Sequence, residues 1–359
     1  MKKEWQARPF EECIDSVSYP RKIQRKDFLE SGEYPIVSQE DVFINGYWND
    51  HGDVFRIKHP VVIFGDHTRV LKFIDFDFVV GADGVKILQP KEFLIPKFFY
   101  YHLLFSDVGS LGYSRHYRLL KELSIVLPPL SEQRRIVGIL DEAFAAIAAA
   151  RANTEKNLQN ARALFESHLN TVFSQKGDGW VETTVDRIST NLDSRRIPIT
   201  KSERTSGDYP YYGASGIVDY VSEYIFEGDA LLVSEDGANL LMRSTPIAFS
   251  VSGKYWVNNH AHILKFDDMA TQKTVEFYLE SIRLDDYITG AAQPKLTQKA
   301  LNSIPIPLPG SLPERARLVE SVQSVLDHTI FLEGLYTRKL EGLTALKQSL
   351  LHAAFSGEL

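Results

Sequence analysis

The chain has 359 residues, enough for two domains of ordinary size, and 44% apolar with 24% charged residues indicates folded globular structure and excludes disorder as the main state. The formal net charge of −7 argues against indiscriminate attraction to nucleic acid, so any DNA contact must come from locally arranged Lys and Arg. No stretch approaches the roughly 20 apolar residues that cross a bilayer, and with a single cysteine, Cys13, and no apolar run after Met1 the chain is expected in the cytoplasm.

Residues 1–130 predict a module of mixed α and β structure. Short apolar runs at 61–64 and 78–80 predict strands, and turn sequences at 45–46, 51–53 and 81–84 separate such runs. Pro96 precedes an apolar and aromatic run that predicts a short helix begun at the proline. The module ends on a proline-bounded strand at 125–129, which allows a new helix to begin at once.

Residues 131–175 predict one long helix. Ser131 is the expected cap, and good helix formers follow, including an alanine-rich run at 143–150. Apolar residues recur with a period of about 3.5 to 4 and form a seam that no helix buries alone; its representatives are Ile136, Phe144, Leu158 and Phe165. The outward faces are expected to carry Gln133, Arg134, Arg151 and Lys156.

Residues 176–310 predict a second mixed module, and residues 311–359 a second long helix. Strands are expected at 230–233, 262–266 and 304–307, and a short helix at 274–282. Ser311 and Glu314 have the spacing of a capping box, with Pro313 in the first turn. The seam of this helix is represented by Leu318, Leu326, Leu340 and Leu350.

The second half of the chain repeats the first. The long helices match without a gap, since Arg317 and Arg135 differ by 317 − 135 = 182, as do Leu346 and Leu164. The modules match more loosely, with Ser206-Gly207 following Ser31-Gly32 at the offset 207 − 32 = 175. The predicted fold class is α+β, with two similar mixed α/β domains separated by two long antiparallel helices that form a coiled-coil spacer, the whole being a pseudo-two-fold internal repeat.

An ordered set of motifs resembles the specificity subunit of a type I restriction-modification system. Any one motif is weak, but together they cover essentially the whole chain in the expected order. They are the run at 127–136 and its counterpart at 308–318, then 64–69, 211–216, 235–240, 293–297 and the ending 354–359.

The resemblance implies a non-catalytic protein that reads a two-part DNA sequence. Residues 1–130 and 176–310 would be target-recognition domains, each reading one unlike half of an asymmetric site in double-stranded DNA. The helices, 131–175 and 311–359, would set the gap and dock two methyltransferase subunits, with restriction and translocase subunits joining for cleavage. In this family S-adenosylmethionine and ATP with Mg²⁺ belong to the partner subunits, so no cofactor is expected in this chain.

Three sets of side chains are candidates for DNA contact, each with a solvated or anchored loop as the alternative. Basic clusters precede the Ser-Gly pair of both modules and fit phosphates, with Arg21, Lys22, Arg25 and Lys26 in one and Arg195, Arg196, Lys201 and Arg204 in the other. The run at 113–118 and its counterpart fit base edges through Arg115, His116, Arg118, Gln293 and Lys295. The weakest set is His67, Thr68, Arg69, Asn239 and Arg243.

Catalytic and metal sites find little support. The chain lacks a P-loop, and Pro128-Pro129 lacks the flanking residues of an amino-methyltransferase loop. Asp66-His67 matches Asp236, which glycine follows, so a shared acid–base role is not expected. His260 and His262 fit a strand better than a metal site. The competing hypotheses are a coiled-coil adaptor with two protein-binding globular ends and an enzyme hidden in the modules.

Overall fold

A computed structural model describes residues 5–81, 84–106, 108–112, 114–290 and 293–359. Part of the predicted turn at 81–84, and Tyr113 at the start of the 113–118 run, lie outside the described residues. The chain divides into two compact units, of which unit 1 combines Met1–Glu155 with Arg338–Leu359 and unit 2 is Lys156–Thr337. Each unit therefore takes one module and a part of each long helix.

The first module consists of short strands and helices separated by turns, and one long helix follows it. In chain order they are β1 (Gln6–Pro9), α1 (Phe10–Cys13), β2 (Ile14–Asp15), β3 (Lys22–Ile23), β4 (Tyr34–Val37), β5 (Gly46–Trp48), β6 (Val54–Phe55), β7 (Val61–Gly65), β8 (Leu71–Ile74), β9 (Phe78–Gly81), β10 (Val85–Pro90), α2 (Pro96–Phe105), α3 (Tyr117–Lys121), β11 (Ser124–Leu127) and α4 (Leu130–Ser174). Pro96 begins α2 as predicted, because its missing N–H costs nothing in a first turn.

Two sheets organise this module. One has the strand order β2-β10-β7-β8, and the other the order β3-β9-β4-β5 with β6 also paired to β9. Helix α2 packs its buried Phe98 and Phe99 against the first sheet, where Val62 and Leu88 belong to the same core. The strand pair β1-β11 joins the two ends of the module and leads the chain into α4.

The second module is built from the equivalent segments. In chain order they are β12 (Trp180–Thr184), α5 (Val185–Ile188), β13 (Thr190–Asn191), β14 (Ser206–Gly213), β15 (Gly216–Val221), β16 (Phe226–Glu227), β17 (Ala230–Ser234), α6 (Asn239–Met242), β18 (Ala248–Val251), β19 (Lys254–Val257), β20 (Ala261–Lys265), α7 (Met269–Ser281), β21 (Ile288–Thr289), β22 (Lys295–Leu296), α8 (Gln298–Asn302), β23 (Pro305–Pro309) and α9 (Leu312–Ser356). Helix α7 begins at Met269, before the predicted start at Thr274, because Asp268 caps it by accepting a 2.7 Å hydrogen bond from the Thr271 amide.

The duplication seen in the sequence extends to the strand connections. The order β13-β20-β17-β18 repeats β2-β10-β7-β8, and β12-β23 repeats β1-β11. In the second sheets, β4 pairs parallel with β9 and antiparallel with β5, and β14 pairs parallel with β19 and antiparallel with β15. The two modules therefore share the strand order of the first sheet and the central pairings of the second, although β3, which pairs with β9, has no equivalent in the described order β15-β14-β19-β16.

The two long helices are continuous and begin differently from each other. Helix α4 begins at Leu130, and the Pro129 carbonyl accepts hydrogen bonds from the amides of Glu132 and Gln133, so Ser131 lies in the first turn and is not the cap that was predicted. Helix α9 follows the predicted pattern, because the Glu314 carboxylate accepts from the amide (3.2 Å) and the hydroxyl (2.7 Å) of Ser311.

A side chain at the fourth position of each helix fixes it to its module. The Gln133 amide group accepts from the Ile95 N–H at 2.8 Å and donates to the carbonyls of Phe93 and Pro128. Gln133 is therefore buried, and the prediction that it faces outward was wrong. Its counterpart in the repeat, Arg315, donates to the Pro309 carbonyl at 2.9 Å.

Within each unit the helices run antiparallel. In unit 1, Arg135 donates to the Leu359 carbonyl at 2.6 Å, and the Lys347 ammonium lies 5.2 Å from the ring centre of Phe144, further along α4. In unit 2, Arg162 and Glu333 form a 2.8 Å ion pair, and Phe173 packs in one cluster with Val322. In both units the partner number falls as the residue number rises, as antiparallel pairing requires.

The predicted seam residues differ in how deeply they are buried. Ile136 is fully buried in the core of unit 1, and Leu158 and Leu340 are half-buried. The other predicted seam residues are half-buried and pack against a core cluster, with Phe144 and Leu350 in unit 1 and Phe165, Leu318 and Leu326 in unit 2. Leu164 and Leu346, which matched in the sequence repeat, are instead exposed (61% and 48%).

A buried histidine makes unit 1 sensitive to acid. The Nε2 atom of His102 accepts a 3.1 Å hydrogen bond from the Val126 amide, and its ring packs on Phe355. Burial lowers the pKa of His102 from 6.5 to about 4, while the unfolded chain binds the proton near 6.5. The stability that this neutral ring contributes to the folded unit is therefore fully present above about pH 6.5 and is lost as the pH falls toward 4.

Between about pH 7.5 and 5.5 we expect this histidine to remove about 1 kcal/mol from the free energy of unfolding. Denaturant unfolding at both pH values measures the loss, and His102→Gln, which does not titrate in this range, is the control. A pH effect of equal size in the wild type and the variant would contradict the assignment.

Candidate nucleic-acid interface

The same backbone arrangement follows one inner strand of the first sheet in both modules, β7 in the first and β17 in the second. A carboxylate residue comes directly after it, Asp66 after β7 and Glu235 after β17. The amide of Asp66 donates to the Gly84 carbonyl at 2.7 Å, and the amide of Glu235 donates to the His260 carbonyl at 2.9 Å. The structural counterpart of Asp66 is thus Glu235, one residue before the Asp236 that the sequence alignment chose.

In the second module this carboxylate belongs to a buried network of charges. Glu235 accepts from the Arg196 Nη1 atom at 2.6 Å and from the Lys295 Nζ atom at 3.1 Å. Arg196 also donates to the Ala261 carbonyl at 2.8 Å, and its side chain is only 13% exposed. Arg196 therefore connects strand ends inside the module. A phosphate contact would require its guanidinium to point into solvent, and it does not.

His262 completes the network. Its Nδ1 atom lies 2.5 Å from an Asp193 carboxylate oxygen, and its Nε2 atom lies 2.8 Å from the Leu296 carbonyl. Each ring nitrogen of His262 therefore faces an oxygen atom, one from the Asp193 carboxylate and one from a backbone carbonyl. Burial acts to raise the pKa of Asp193, but the hydrogen bond and charge of His262 outweigh it and leave that pKa below its usual value.

The same side chains have the donor set of a cation site, because ligand atoms of Asp193, Glu235 and His262 lie within 4.8 Å of one another. Burial acts to raise the pKa of Glu235, but the bond from Arg196 and the charge of His262 leave it lowered. Both carboxylates are thus ionised and already neutralised by side chains of this chain. The cluster is chemically a salt-bridge network that fixes four segments of the module.

The network leads to a prediction that separates two adjacent arginines. We expect Arg196→Ala to lower the free energy of unfolding by about 3 to 5 kcal/mol, because it leaves buried carboxylates without their partner. The control is Arg195→Ala, since Arg195 is exposed and lies over the Phe226 ring at 5.5 Å. We expect that change to cost less than about 1 kcal/mol. Equal losses in denaturant unfolding would show that Arg196 does not hold the module together.

Arg69 and Arg243 are equivalent structural arginines. Among the described residues they are the non-glycine positions with positive φ, at 62° and 51°. Arg69 donates to the Val108 carbonyl after α2, and Arg243 donates to the carbonyls of Leu279 and Ile282 at the end of α7. Each guanidinium thus satisfies carbonyls at or just after the end of the longest helix within its module.

Most of the weaker candidates also have structural partners. His116 is buried, and its Nε2 atom accepts from the Leu111 amide at 2.9 Å. The Thr68 hydroxyl donates to the Gln39 carbonyl, and the His67 amide donates to the Gln39 side chain. Asn239 holds the turn that follows it by donating to the Thr245 carbonyl at 2.9 Å.

Most of the remaining candidates keep their charges or side chains at the surface, whereas the Arg204 side chain is only 18% exposed. Arg25 is 77% exposed beside Glu40, and Arg21 is 59% exposed beside Asp53 and over the Trp48 ring. Arg204 pairs with Asp219 and lies 4.4 Å from the ring centre of Tyr211, and Lys22 lies over Tyr19. The other exposed candidates are Lys26, Arg115, Arg118, Lys201, Gln293, Lys295 and Arg195.

Sequence reasoning missed a buried lysine in the first module. The Lys72 ammonium donates to the carbonyls of Ser38 at 2.9 Å and Val42 at 2.5 Å, and the side chain is 4% exposed. Burial lowers its pKa to about 8. The available signal was its place inside the alternating strand β8, where a charged residue between apolar ones marks an unusual environment.

Comparison with known proteins gives the family. A family model for the type I restriction modification DNA specificity domain matches residues 2–159 and again 178–338. A putative type I restriction enzyme specificity subunit of Haemophilus influenzae is 36% identical over 125 residues, which are 35% of this chain and 32% of that protein. The EcoR124I/EcoR124II specificity subunit of Escherichia coli is 29% identical over 154 residues, which are 38% of each. The matched segments thus span about a third of the length of these relatives.

Solved structures agree in fold. One, from a study of complex assembly and conformational transition of the type I restriction-modification system, has a TM-score of 0.75 at 17% identity and covers 99% of this chain and 98% of its own. The HsdS subunit from Thermoanaerobacter tengcongensis has a TM-score of 0.55 at 17% identity and covers 100% and 98%. In the described part of the chain, no helix is long and apolar enough to span a bilayer. The match of the family model to both modules shows that the chain belongs to the type I restriction-modification DNA specificity family.

Proposed function

We propose that the chain is the sequence-reading subunit of a type I restriction-modification complex and that it is not itself an enzyme. Each module reads one half of an asymmetric, two-part target in double-stranded DNA. The observation that carries this proposal is the duplicated topology, in which two modules with the same strand order in their first sheet but different surface loops each lead into one of two antiparallel helices. Unlike loops on a shared scaffold favour two unlike half-sites.

The helices supply places for partner proteins in this proposal. Leu164 on α4 and Leu346 on α9 occupy matching positions of the repeat and are both exposed. Exposed leucines at equivalent positions favour two equivalent docking sites, one for each of two methyltransferase subunits. A translocating restriction subunit joins the same assembly for cleavage. S-adenosylmethionine and ATP with Mg²⁺ belong to those partners, and no cofactor is assigned to this chain.

The salt dependence of binding tests whether the modules contact DNA. The chain is purified with its methyltransferase partner, and its affinity for target DNA is measured at increasing salt. Replacing Lys26, Arg115, Arg118 and Lys201 with alanine should weaken binding and lower the slope of log affinity against log salt by up to about 3 to 4. The control replaces Arg56 and Arg283, which are exposed and paired with neighbouring carboxylates, and should leave the slope unchanged.

Two outcomes favour the other hypotheses. The coiled-coil adaptor is supported if the affinity for DNA does not change with salt concentration. It is also supported if the chain binds no DNA but still captures protein partners. The exposed leucines of the helices are consistent with such an adaptor. Transfer of labelled methyl groups to DNA by the isolated chain would support an enzyme hidden in the modules. Neither outcome is compatible with a reading subunit that depends on its methyltransferase.

A further inference from the structure

Each module holds a partly exposed lysine beside the carboxylate that follows the inner strand of its first sheet. In the first module, the Lys86 ammonium lies 3.9 Å from the Oδ2 atom of Asp66, and its side chain is 39% exposed. In the second, the Lys295 ammonium lies 3.1 Å from the Oε1 atom of Glu235, and its side chain is 49% exposed. The two carboxylate side chains are only 4% and 12% exposed. Each module therefore keeps one positive charge at the surface next to an acid that is almost buried.

The two lysines reach this place from different strands. Lys86 on β10 lies opposite Phe64, two residues before the carboxylate of the first module. The equivalent position on β20, opposite Val233, is taken by the buried His262. The surface charge of the second module comes instead from Lys295 on β22. Modules with unlike residues at one position have thus both placed a lysine beside the same carboxylate.

The loop that carries Lys295 has an equivalent in the first module. In each module the carbonyl of the carboxylate residue accepts a 2.8 Å hydrogen bond from an amide of this loop, that of His116 in the first and that of Leu296 in the second. The residue directly before this amide is Arg115 in the first module and Lys295 in the second, and both are exposed. The equivalent loops therefore both carry a positive side chain at the strand end.

The carboxylates have closer partners than these lysines. Asp66 accepts a 2.8 Å hydrogen bond from the Tyr117 amide, whereas its 3.9 Å distance from Lys86 is too long for one. The carboxylate of the second module is bound at 2.6 Å by Arg196, which is only 13% exposed. An ammonium has three donors, and of the described contacts of Lys295 the carboxylate takes one. Each lysine is thus the more exposed and more weakly bound donor of its cluster, as a group that receives an external anion must be.

A backbone phosphate is the anion that fits these lysines in a protein that binds DNA. A phosphate oxygen needs a charged donor without a fixed plane, which the compact ammonium supplies. Ordering a long side chain opposes binding, and a neighbouring carboxylate that already holds the ammonium reduces this cost. The same carboxylate weakens attraction over longer distances, so the contact acts at short range. Such contacts suit a chain whose net charge is −7 and whose attraction for DNA must be local.

We propose that Lys86 and Lys295 each bind a backbone phosphate of the DNA, one in each half of the target. The proposal rests on the proposed function and adds Lys86, which lies on a strand outside the basic clusters of the sequence. It also assigns Lys295 to phosphate instead of a base edge. Because the phosphates are alike at every base pair, these contacts hold each module on the duplex without reading its sequence. Other side chains of the module then read the bases from that position.

The test uses the full chain in complex with its methyltransferase partner, a duplex carrying the target found by methylation mapping, and a duplex of scrambled sequence. Lys86→Met and Lys295→Met remove the charge and keep an unbranched side chain. Each should weaken binding of both duplexes about five- to tenfold at about 0.1 M salt and lower the slope of log affinity against log salt by about 1. Lys86→Arg and Lys295→Arg keep the charge and should keep the slope. Lys97→Met is the matched control with an unchanged slope, because Lys97 is 38% exposed and also lies beside a carboxylate, 3.0 Å from Asp141.

Neutral methylphosphonates in place of single phosphates locate the two contacts. One replacement in each half of the target should weaken the wild type about five- to tenfold and should not weaken the methionine variant of that half any further. The slope also distinguishes a lost contact from a folding defect, because an inactive fraction of the protein lowers the apparent affinity equally at every salt concentration.

The outcomes separate failure of this proposal from failure of the proposed function. If the wild type prefers its target but either methionine variant keeps the full slope, the phosphate contacts are wrong while DNA reading stands. They are equally wrong if a variant loses affinity for the target duplex alone, since the lysine would then read bases, or if a variant loses its methyltransferase, since it would then face protein. A wild type complex with the expected slopes but no sequence preference would support the phosphate contacts and overturn the proposed function. A complex that binds no DNA would overturn both.

Discussion

Placing a charge in the helix seam should unfold the unit that contains it. Val322 is fully buried in unit 2, in one cluster with Leu169, Phe173 and Phe277. In Val322→Asp the carboxylate has no cation partner in that apolar cluster, so we expect a loss of at least about 4 kcal/mol in the free energy of unfolding. Leu140→Asp should act in the same way in unit 1, where Leu140 is also fully buried. Denaturant unfolding and co-purification with the methyltransferase measure both effects.

The cost should follow burial along the helix. Leu158→Asp and Leu340→Asp, at half-buried seam positions, should cost less than Val322→Asp but still weaken the pairing of the helices. Leu164→Asp is the matched control, because Leu164 is 61% exposed on the same helix as Leu158, and it should change the stability of the isolated chain by no more than about 0.5 kcal/mol. If Leu164→Asp destabilised the chain as much as Val322→Asp, burial of the predicted seam between the helices would be contradicted.

The second large effect concerns the gap between the half-sites. The chain passes between its units within α4, after Glu155, and within α9, after Thr337. Inserting about four helix-forming residues at both points adds about 6 Å to each helix. If the helices set the gap, the spacing of the methylated target should grow by about one or two base pairs while both half-sites stay the same. Methylation mapping of cells that carry the variant measures the new spacing.

An insertion in only one helix provides the control. It shifts one seam against the other, so apolar residues meet polar ones and pairing should fail in at least one unit. Loss of methylation with the single insertion and a longer gap with the paired insertion together support the spacer role. A paired insertion that leaves the spacing unchanged would show that the helices do not set it.

The long helices and the duplication were predictable because both leave periodic signals. A seam with a helical period and a constant offset, 317 − 135 = 182, are properties of the sequence itself. The early start of α7 was not predictable from apolar periodicity, because the residues before Thr274 are mostly polar and the deciding contact is the Asp268 cap. The outward orientation predicted for Gln133 failed because its partners, Phe93 and Ile95, are distant in the sequence.

The candidate interface was only partly predictable for a related reason. A long arginine side chain reaches carbonyls far along the chain, as Arg243 reaches Leu279, and composition cannot distinguish such an arginine from one that contacts phosphate. Arg195 and Arg196 are adjacent and chemically identical, yet one is exposed and the other is only 13% exposed and bound to carboxylates. Only the fold separates them.

Mapping the methylated sequence is the most direct test of the central claim. The chain is produced with its methyltransferase partner in cells without other methyltransferases, and methylated sites are mapped across the genome. The account predicts one target with two unlike halves and a fixed gap, and replacing residues 1–130 with the module of another specificity subunit should change one half alone. A single contiguous motif, or a target that the replacement leaves unchanged, would contradict it.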